Sequence, residues 1–225
     1  MEIRLLKKVT LFKSLEEKEL EKIANLSSLY KYKKESIILM EAEAGNSLFI
    51  ISKGRVKISR ISDEGKEVIL AILKEGDFFG EMSLLNGHVR SANVTAIEDS
   101  ELLRLRRDDF FNLLYSHPEL SINLLKELAK RIRMSDTQIK SLSLLDAVGR
   151  VASALIQLVE VGGTIKEEKM IIEKLPSQQD VANMAGTSRE TVSRAFKLFI
   201  NEGYIVKKGN KIIIEKFEKF KRLYE

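Results

Sequence analysis

Apolar residues change their period along the chain, and the changes mark its parts. From about Ser36 to Arg106, short apolar runs (SIILM, SLFIIS, RVKISRI, EVILAIL, ANVTAI, ELLRLR) alternate with turn signals. The turns fall at Ala44-Gly45-Asn46, Lys53-Gly54, Asp63-Glu64-Gly65 and Glu75-Gly76-Asp77. Short strands at that spacing predict an antiparallel roll, not a parallel sheet with crossover helices. Ahead of the roll, Ser14 and Glu17 form a capping-box signature, and Leu20, Ile23, Ala24 and Leu26 predict a short amphipathic helix. From Pro118 to Leu145 the period becomes helical over the longest such stretch in the chain. There Leu125, Leu128, Ile132, Ser135, Ile139 and Leu142 alternate at spacings of three and four, the seam of a two-stranded coiled coil, which predicts a homodimer. Ser135 is the polar member of that seam, with Arg131 and Asp136 beside it. They form either a register device or the wall of a ligand site at the seam.

After a hinge at Ser143 to Asp146, Asp146 caps a helix over Ala147 to Val159 that Gly162-Gly163 ends. Ser177 to Ala185 then reads as a capped short helix closed by Gly186. Thr187-Ser188 caps a second, RETVSRAFKLFINEG, with Val192, Ala195, Phe196 and Phe199 on one face. Helix, glycine-containing turn and helix is a helix-turn-helix. Past Gly203, the runs YIVKK and KIIIE around Gly209-Asn210 predict a hairpin, or wing, and Phe217, Phe220 and Leu223 a short amphipathic tail helix. The fold class expected is α+β: a jelly-roll-like β-roll in an effector domain (1–117), a dimerisation helix with its hinge (118–145), and a winged helix-turn-helix (146–225).

Composition narrows the chemistry. The 225 residues contain no cysteine, which excludes disulfides, zinc–thiolate sites, iron–sulfur clusters and thiol redox sensing. His88 and His117 share no metal-ligand spacing, so no metal is expected. The N-terminal stretch lacks an apolar signal core and no later run approaches a membrane span, which predicts a cytoplasmic protein without membrane contact. No nucleophile–base pair, metal cluster or P-loop appears, so the chain is not expected to be an enzyme.

Net charge is +5, and residues 187–213 concentrate it: Arg189, Arg194, Lys197, Lys207, Lys208 and Lys211 stand against Glu190 and Glu202. A compact basic patch is the footprint of phosphate contacts, although a solvated charged face has the same composition. On the outer face of the second helix, Arg189, Glu190 and Arg194 carry the chemistry that reads base edges. Ser188 and Thr191 suit backbone phosphates, and Gln179, Lys197 and Lys211 complete the candidate DNA-contacting set.

One connection in the roll departs from strand chemistry. In FGEMSLLNGHVRSA, Gly80 allows close backbone approach, and a short helix starting at Glu81 aims free N–H groups at an anion. Arg90 adds a fork-shaped cation and Ser91 a hydroxyl, just before Ala92 enters the next strand. A carboxylate beside an anion site is repulsive unless it accepts from a neutral group of the same ligand, and a ribose hydroxyl fits. Together these describe a nucleotide.

This run resembles the phosphate-binding cassette of cyclic-nucleotide-binding domains. SRETVSR resembles the recognition helix of the cyclic-AMP receptor (catabolite activator) branch of the CRP/FNR transcription regulators, and the likeness extends over nearly the whole chain in the family's domain order. The resemblance implies that Glu81 binds the ribose 2′-hydroxyl and that Arg90 and Ser91 bind the cyclic phosphate. It also implies support from the N–H groups of Gly80, Met82 and Ser83, and a base that reaches Arg131, Ser135 and Asp136. Further, it implies base reading by Arg189, Glu190 and Arg194 on palindromic TGTGA-like DNA, with RNA polymerase as a partner. By position, the loop from Val161 to Met170 is the candidate polymerase contact. Asp136 departs from the family pattern of two successive hydroxyl residues. Its carboxylate accepts from adenine N6 but bidentately from guanine N1 and N2, so cyclic AMP is the preferred effector and cyclic GMP its competitor. A regulator of the same architecture that ignores nucleotides or senses another metabolite stays open. A regulatory subunit of a cyclic-nucleotide-controlled enzyme would need a catalytic or membrane segment.

Overall fold

The glycine-punctuated apolar runs fold into two antiparallel sheets, and the computed structural model describes residues 3–166 and 169–224. Two compact units emerge. One runs to Arg60 and from Ala71 to Arg133; the other joins Ile61–Leu70 to the chain from Met134 onward.

In chain order the first part comprises α1 (Ile3–Lys8), α2 (Glu17–Leu26), β1 (Ser28–Tyr32), β2 (Ile37–Leu39), β3 (Ser47–Lys53), β4 (Arg55–Ile61), β5 (Glu67–Lys74) and β6 (Phe78–Phe79). Then come α3 (Glu81–Asn86), β7 (Asn93–Ala96), β8 (Ser100–Arg106) and α4 (Arg107–Ser116). The strands order as β1-β8-β3-β6 and β2-β7-β4-β5. Because β3 is buried on both faces, its sequence SLFIIS shows a continuous apolar run instead of an alternation. Phe49 and Ile51 point into the roll with Val56, Phe79, Val94 and Leu102. Leu48 and Ile50 point the other way, onto Leu11, Phe12, Leu20, Ile23 and Phe110 of the N-terminal segment and α4.

Two expectations need correction here. The roll begins at β1, not near Ser36; β1 is an edge strand paired only with β8, and its largely exposed residues leave no inward-facing alternation to read. The N-terminal capping box is Glu16 with Glu19, whose carboxylate accepts from the Glu16 N–H at 2.8 Å. Ser14 instead receives a bond from Asn123.

The long helix α5 (Pro118–Leu144) opens on proline, whose missing N–H costs nothing at a first helical position. Its first half has two apolar faces. Leu120 and Leu124 are buried in the N-terminal core, and Leu128, expected in the seam, is half-buried against it. Leu125, Ile132 and Ile139 are 61%, 63% and 62% exposed.

The second part contains α6 (Ala147–Gly162), β9 (Thr164–Lys166), β10 (Lys169–Ile172), α7 (Gln178–Ala185), α8 (Arg189–Asn201), β11 (Ile205–Lys208), β12 (Lys211–Ile214) and α9 (Phe217–Tyr224). The wing strands belong to a sheet ordered β11-β12-β10-β9. What reads as a connector before Pro176 therefore contains the paired strands β9 and β10, and residues 167 and 168 of the candidate polymerase loop lie outside the described residues. The tail helix α9 is amphipathic, but Phe220 and Tyr224 form its inner face and meet the Phe199 ring edge to face. Leu223 stays 53% exposed.

Candidate functional site

The turn from β6 into α3 is built for close approach. Gly80 sits at φ 87°, and a Cβ there would lie 2.8 Å from Arg90 Nη1 and 3.0 Å from the Ser47 carbonyl oxygen. A side chain at Gly45 would collide with Ser83 Oγ and with the Arg90 guanidinium. Two glycines thus clear the space in which Arg90 lies, only 5% exposed. Arg90 Nη1 donates to the Gly80 carbonyl at 2.8 Å and to Ser83 Oγ at 2.7 Å; Nη2 donates to the Ser47 carbonyl at 2.9 Å. Burial pulls its pKa below the usual arginine range, Glu81 opposes that, and Arg104 adds to it. A guanidinium stays charged near neutrality even so.

Glu81 faces the same turn and is 3% exposed. Its Oε1 accepts from Arg131 Nη1 at 2.9 Å, while Arg131 Nη2 donates to the Phe78 carbonyl and the guanidinium stacks 4.7 Å from the Phe78 ring centroid. Glu81 Oε2 and Arg90 Nε are buried with no hydrogen-bond partner. An orphaned acceptor and an orphaned donor in one turn cost stability, roughly 1–3 kcal/mol each, unless something supplies the missing bonds. A ligand bearing a hydroxyl and an anion would do so.

The structure thus brings Gly80, Glu81, Ser83, Arg90 and Arg131 together. Met82 and Ser91 meet at the surface, with the Ser91 hydroxyl 3.7 Å from the Met82 sulfur, and Ala92 is buried at the strand entry. Ser135 and Asp136 lie exposed on the second half of α5. Sequence reasoning missed Gly45, Ser47 and Arg104: the first two read as a turn and a strand start, and Arg104 as one more strand residue.

In the C-terminal unit, Ser177 and Ser188 cap α7 and α8 through the N–H groups of Asp180 (3.0 Å) and Thr191 (3.2 Å). Gly186, at φ 56°, makes the turn between them. Val192, Ala195, Phe196 and Phe199 are buried, which fixes the roll of α8 and leaves Arg189, Glu190, Arg194 and Lys197 exposed. Arg194 Nη2 bonds Thr191 Oγ1 at 3.2 Å. Hydrogen bonds from its own N–H and from Ser188 hold the Glu190 carboxyl below its usual range, with Arg189 and Arg194 adding to the effect. Gln179 is exposed and donates to Asn183, whereas Lys211 is paired with Glu173 at 2.8 Å. Arg150, unmarked by any sequence signal, donates from α6 to the carbonyls of Ala185, Gly186 and Leu145 and so ties down the helix-turn-helix corner.

Among the described residues, no group of three or more His, Cys, Asp or Glu could hold a metal ion, and no helix is long and apolar enough to cross a membrane.

Comparison with known proteins agrees with both halves. The cyclic nucleotide-binding domain family matches residues 29–117, and the Crp-like helix-turn-helix domain family matches residues 149–223. The chain is 33% identical over 185 residues to the CRP-like cAMP-activated global transcriptional regulator of Mycobacterium tuberculosis, covering 82% of this chain and 83% of that one. It is 38% identical over 169 residues to the cyclic AMP receptor protein of Thermus thermophilus, covering 75% and 74%. A solved CooA mutant from Carboxydothermus hydrogenoformans superposes with a TM-score of 0.76 at 26% identity, covering 96% of this chain and 94% of that one.

Proposed function

The chain belongs to the CRP/FNR family of DNA-binding transcription regulators and carries a cyclic nucleotide-binding domain, and we propose that it acts as a homodimer switched by a cyclic nucleotide, cyclic AMP in preference to cyclic GMP. The observation that carries this reading is the pair of buried, half-satisfied charges. Glu81 Oε2 is free to accept a ribose 2′-hydroxyl, and Arg90 has an unused Nε donor where an anionic phosphate would lie. Ser91 and the N–H groups of Gly80, Met82 and Ser83 complete the phosphate contacts. The names of the M. tuberculosis and T. thermophilus relatives favour cyclic AMP.

Exposed Leu125, Ile132, Ile139 and Leu142 repeat with a coiled-coil period, which supports a parallel two-fold seam. Each base would meet that seam beside Arg131, Ser135 and Asp136. Filling it would reset the spacing of the two copies of α8 to one turn of DNA, about 34 Å. Arg189, Glu190 and Arg194 then read base edges of a palindromic TGTGA-like site, while Gln179, Ser188, Thr191, Lys197 and Lys211 hold phosphates. For Lys211 this means leaving Glu173. RNA polymerase is the further partner this reading implies.

An electrophoretic shift assay on a palindromic TGTGA site tests the proposal: binding should strengthen with cyclic AMP and less with cyclic GMP. DNA binding indifferent to both nucleotides would leave a regulator of this architecture with another effector. Calorimetric titration decides between the two nucleotides; tighter cyclic GMP binding that Asp136→Ser reverses would overturn the cyclic AMP preference.

A further inference from the structure

The Ser47 carbonyl that aims Arg90 is itself held from behind. Ser47 is 1% exposed, and its hydroxyl accepts from Arg104 Nε at 2.7 Å while donating to Asn46 Oδ1 at 3.0 Å. Arg104 is braced in turn: its guanidinium lies 5.9 Å from the Tyr30 ring centroid, Nη1 reaches the Tyr30 hydroxyl at 3.5 Å, and Nη2 reaches Asn46 Oδ1 at 3.4 Å. The hydrogen bonds of Arg104 run to neutral oxygens, and its charge acts unfavourably on Arg90. A like charge so placed costs energy unless its fork does something a neutral residue could not.

We propose that Arg104 is a positioning residue for the effector phosphate: it clamps Ser47, and the Ser47 carbonyl fixes the direction of the Arg90 guanidinium. The chain of contacts is Arg104 Nε to Ser47 Oγ, through the Ser47 backbone, to Arg90 Nη2 at 2.9 Å. Outer partners that orient a binding group act this way at metal sites, where losing one weakens binding by about ten-fold or more, and a site left loose by an ångström loses specificity with affinity. The inference rests on the cyclic-nucleotide reading of the cassette.

The test uses the full-length chain and the Sp and Rp phosphorothioate diastereomers of cyclic AMP, in which sulfur replaces one or the other exocyclic oxygen. The ratio of their affinities measures how firmly one oxygen is held. Arg104→Ala should weaken cyclic AMP binding by about ten-fold and bring the Sp/Rp ratio towards one. Arg104→Lys, which keeps the charge but not the fork, should show most of the same loss. Ser47→Ala removes only the clamped hydroxyl and should reproduce the effect, and the double variant should be no worse than either single one, since the two act as one unit. An unchanged Sp/Rp ratio in Arg104→Ala, full rescue by lysine, or additive losses would each overturn the assignment.

Nitrogen-15 spectra of the arginine side chains provide a readout that needs no nucleotide. The Arg90 Nη protons should exchange slowly in the wild type and rapidly in Arg104→Ala; slow exchange in both overturns the inference. If the wild type binds no cyclic nucleotide yet the exchange contrast appears, the positioning role stands and the proposed effector falls.

Discussion

The cassette around Glu81 and Arg90 and the outer face of α8 are built from the same residue types, an acid, arginines and a serine, and they differ in burial alone. Glu81 and Arg90 are 3% and 5% exposed, gripped by carbonyls and by Arg131, with one atom each left unsatisfied. Arg189, Glu190 and Arg194 stand in water on the far side of a buried Val192–Phe199 face. Burial makes a charged group costly unless a partner arrives, which suits a small ligand that fits inside. Exposure leaves it cheap and extended, which suits the edge of a polymer too large to enclose.

The sharpest way to break this contrast is to make the same truncation on both sides. Arg90→Ala removes a donor from the Gly80 and Ser47 carbonyls and from the Ser83 hydroxyl, leaving the Gly80 carbonyl the 3.3 Å bond from Ser83. It should cost roughly 2–3 kcal/mol of folding stability besides abolishing effector binding, as read by denaturant melts and calorimetry. Arg194→Ala should leave stability within about 0.5 kcal/mol. It should cost about 1–3 kcal/mol of DNA binding at one base pair of the site, visible as relaxed preference there in competition shifts. If the two melts shift alike, burial is not what separates the regions. Lys197→Ala, further along the exposed face, should weaken binding evenly across sequences and lower the salt-dependence slope by about one.

The smallest expected effect sharpens the buried side. Burial pushes the Asp77 carboxyl above its usual range, against the pull of the Lys74 N–H and of Arg131. Its folded-state pKa is raised, so charging it costs stability as pH rises through that value, and below the ordinary carboxylate range the cost is absent. Asp77→Asn, which can still accept from Lys74, should raise the melting temperature by about 1–2 °C at neutral pH and leave it unchanged in strong acid.

Much of this molecule was legible from local chemistry. Turn glycines and apolar runs placed the inner strands, Asp146, Ser177 and Ser188 announced their helices, and Gly80, Glu81 and Arg90 marked a candidate anion site because helix start, fork and carboxylate fall within eleven residues. Signals of that kind are short-range: they record what a backbone turn or a helix end needs, and nearby residues supply it.

Other features depended on residues far apart in sequence. That Leu128 packs towards the N-terminal core, that β1 lines an edge, that the tail packs through Phe220 and Tyr224, and that Arg104 and Ser47 stand behind Arg90 are facts of packing between segments separated by tens of residues. No periodicity records them, because a side chain's partner across a sheet is chosen by the fold, and the same arginine reads identically in the chain whether its fork meets water or a buried hydroxyl.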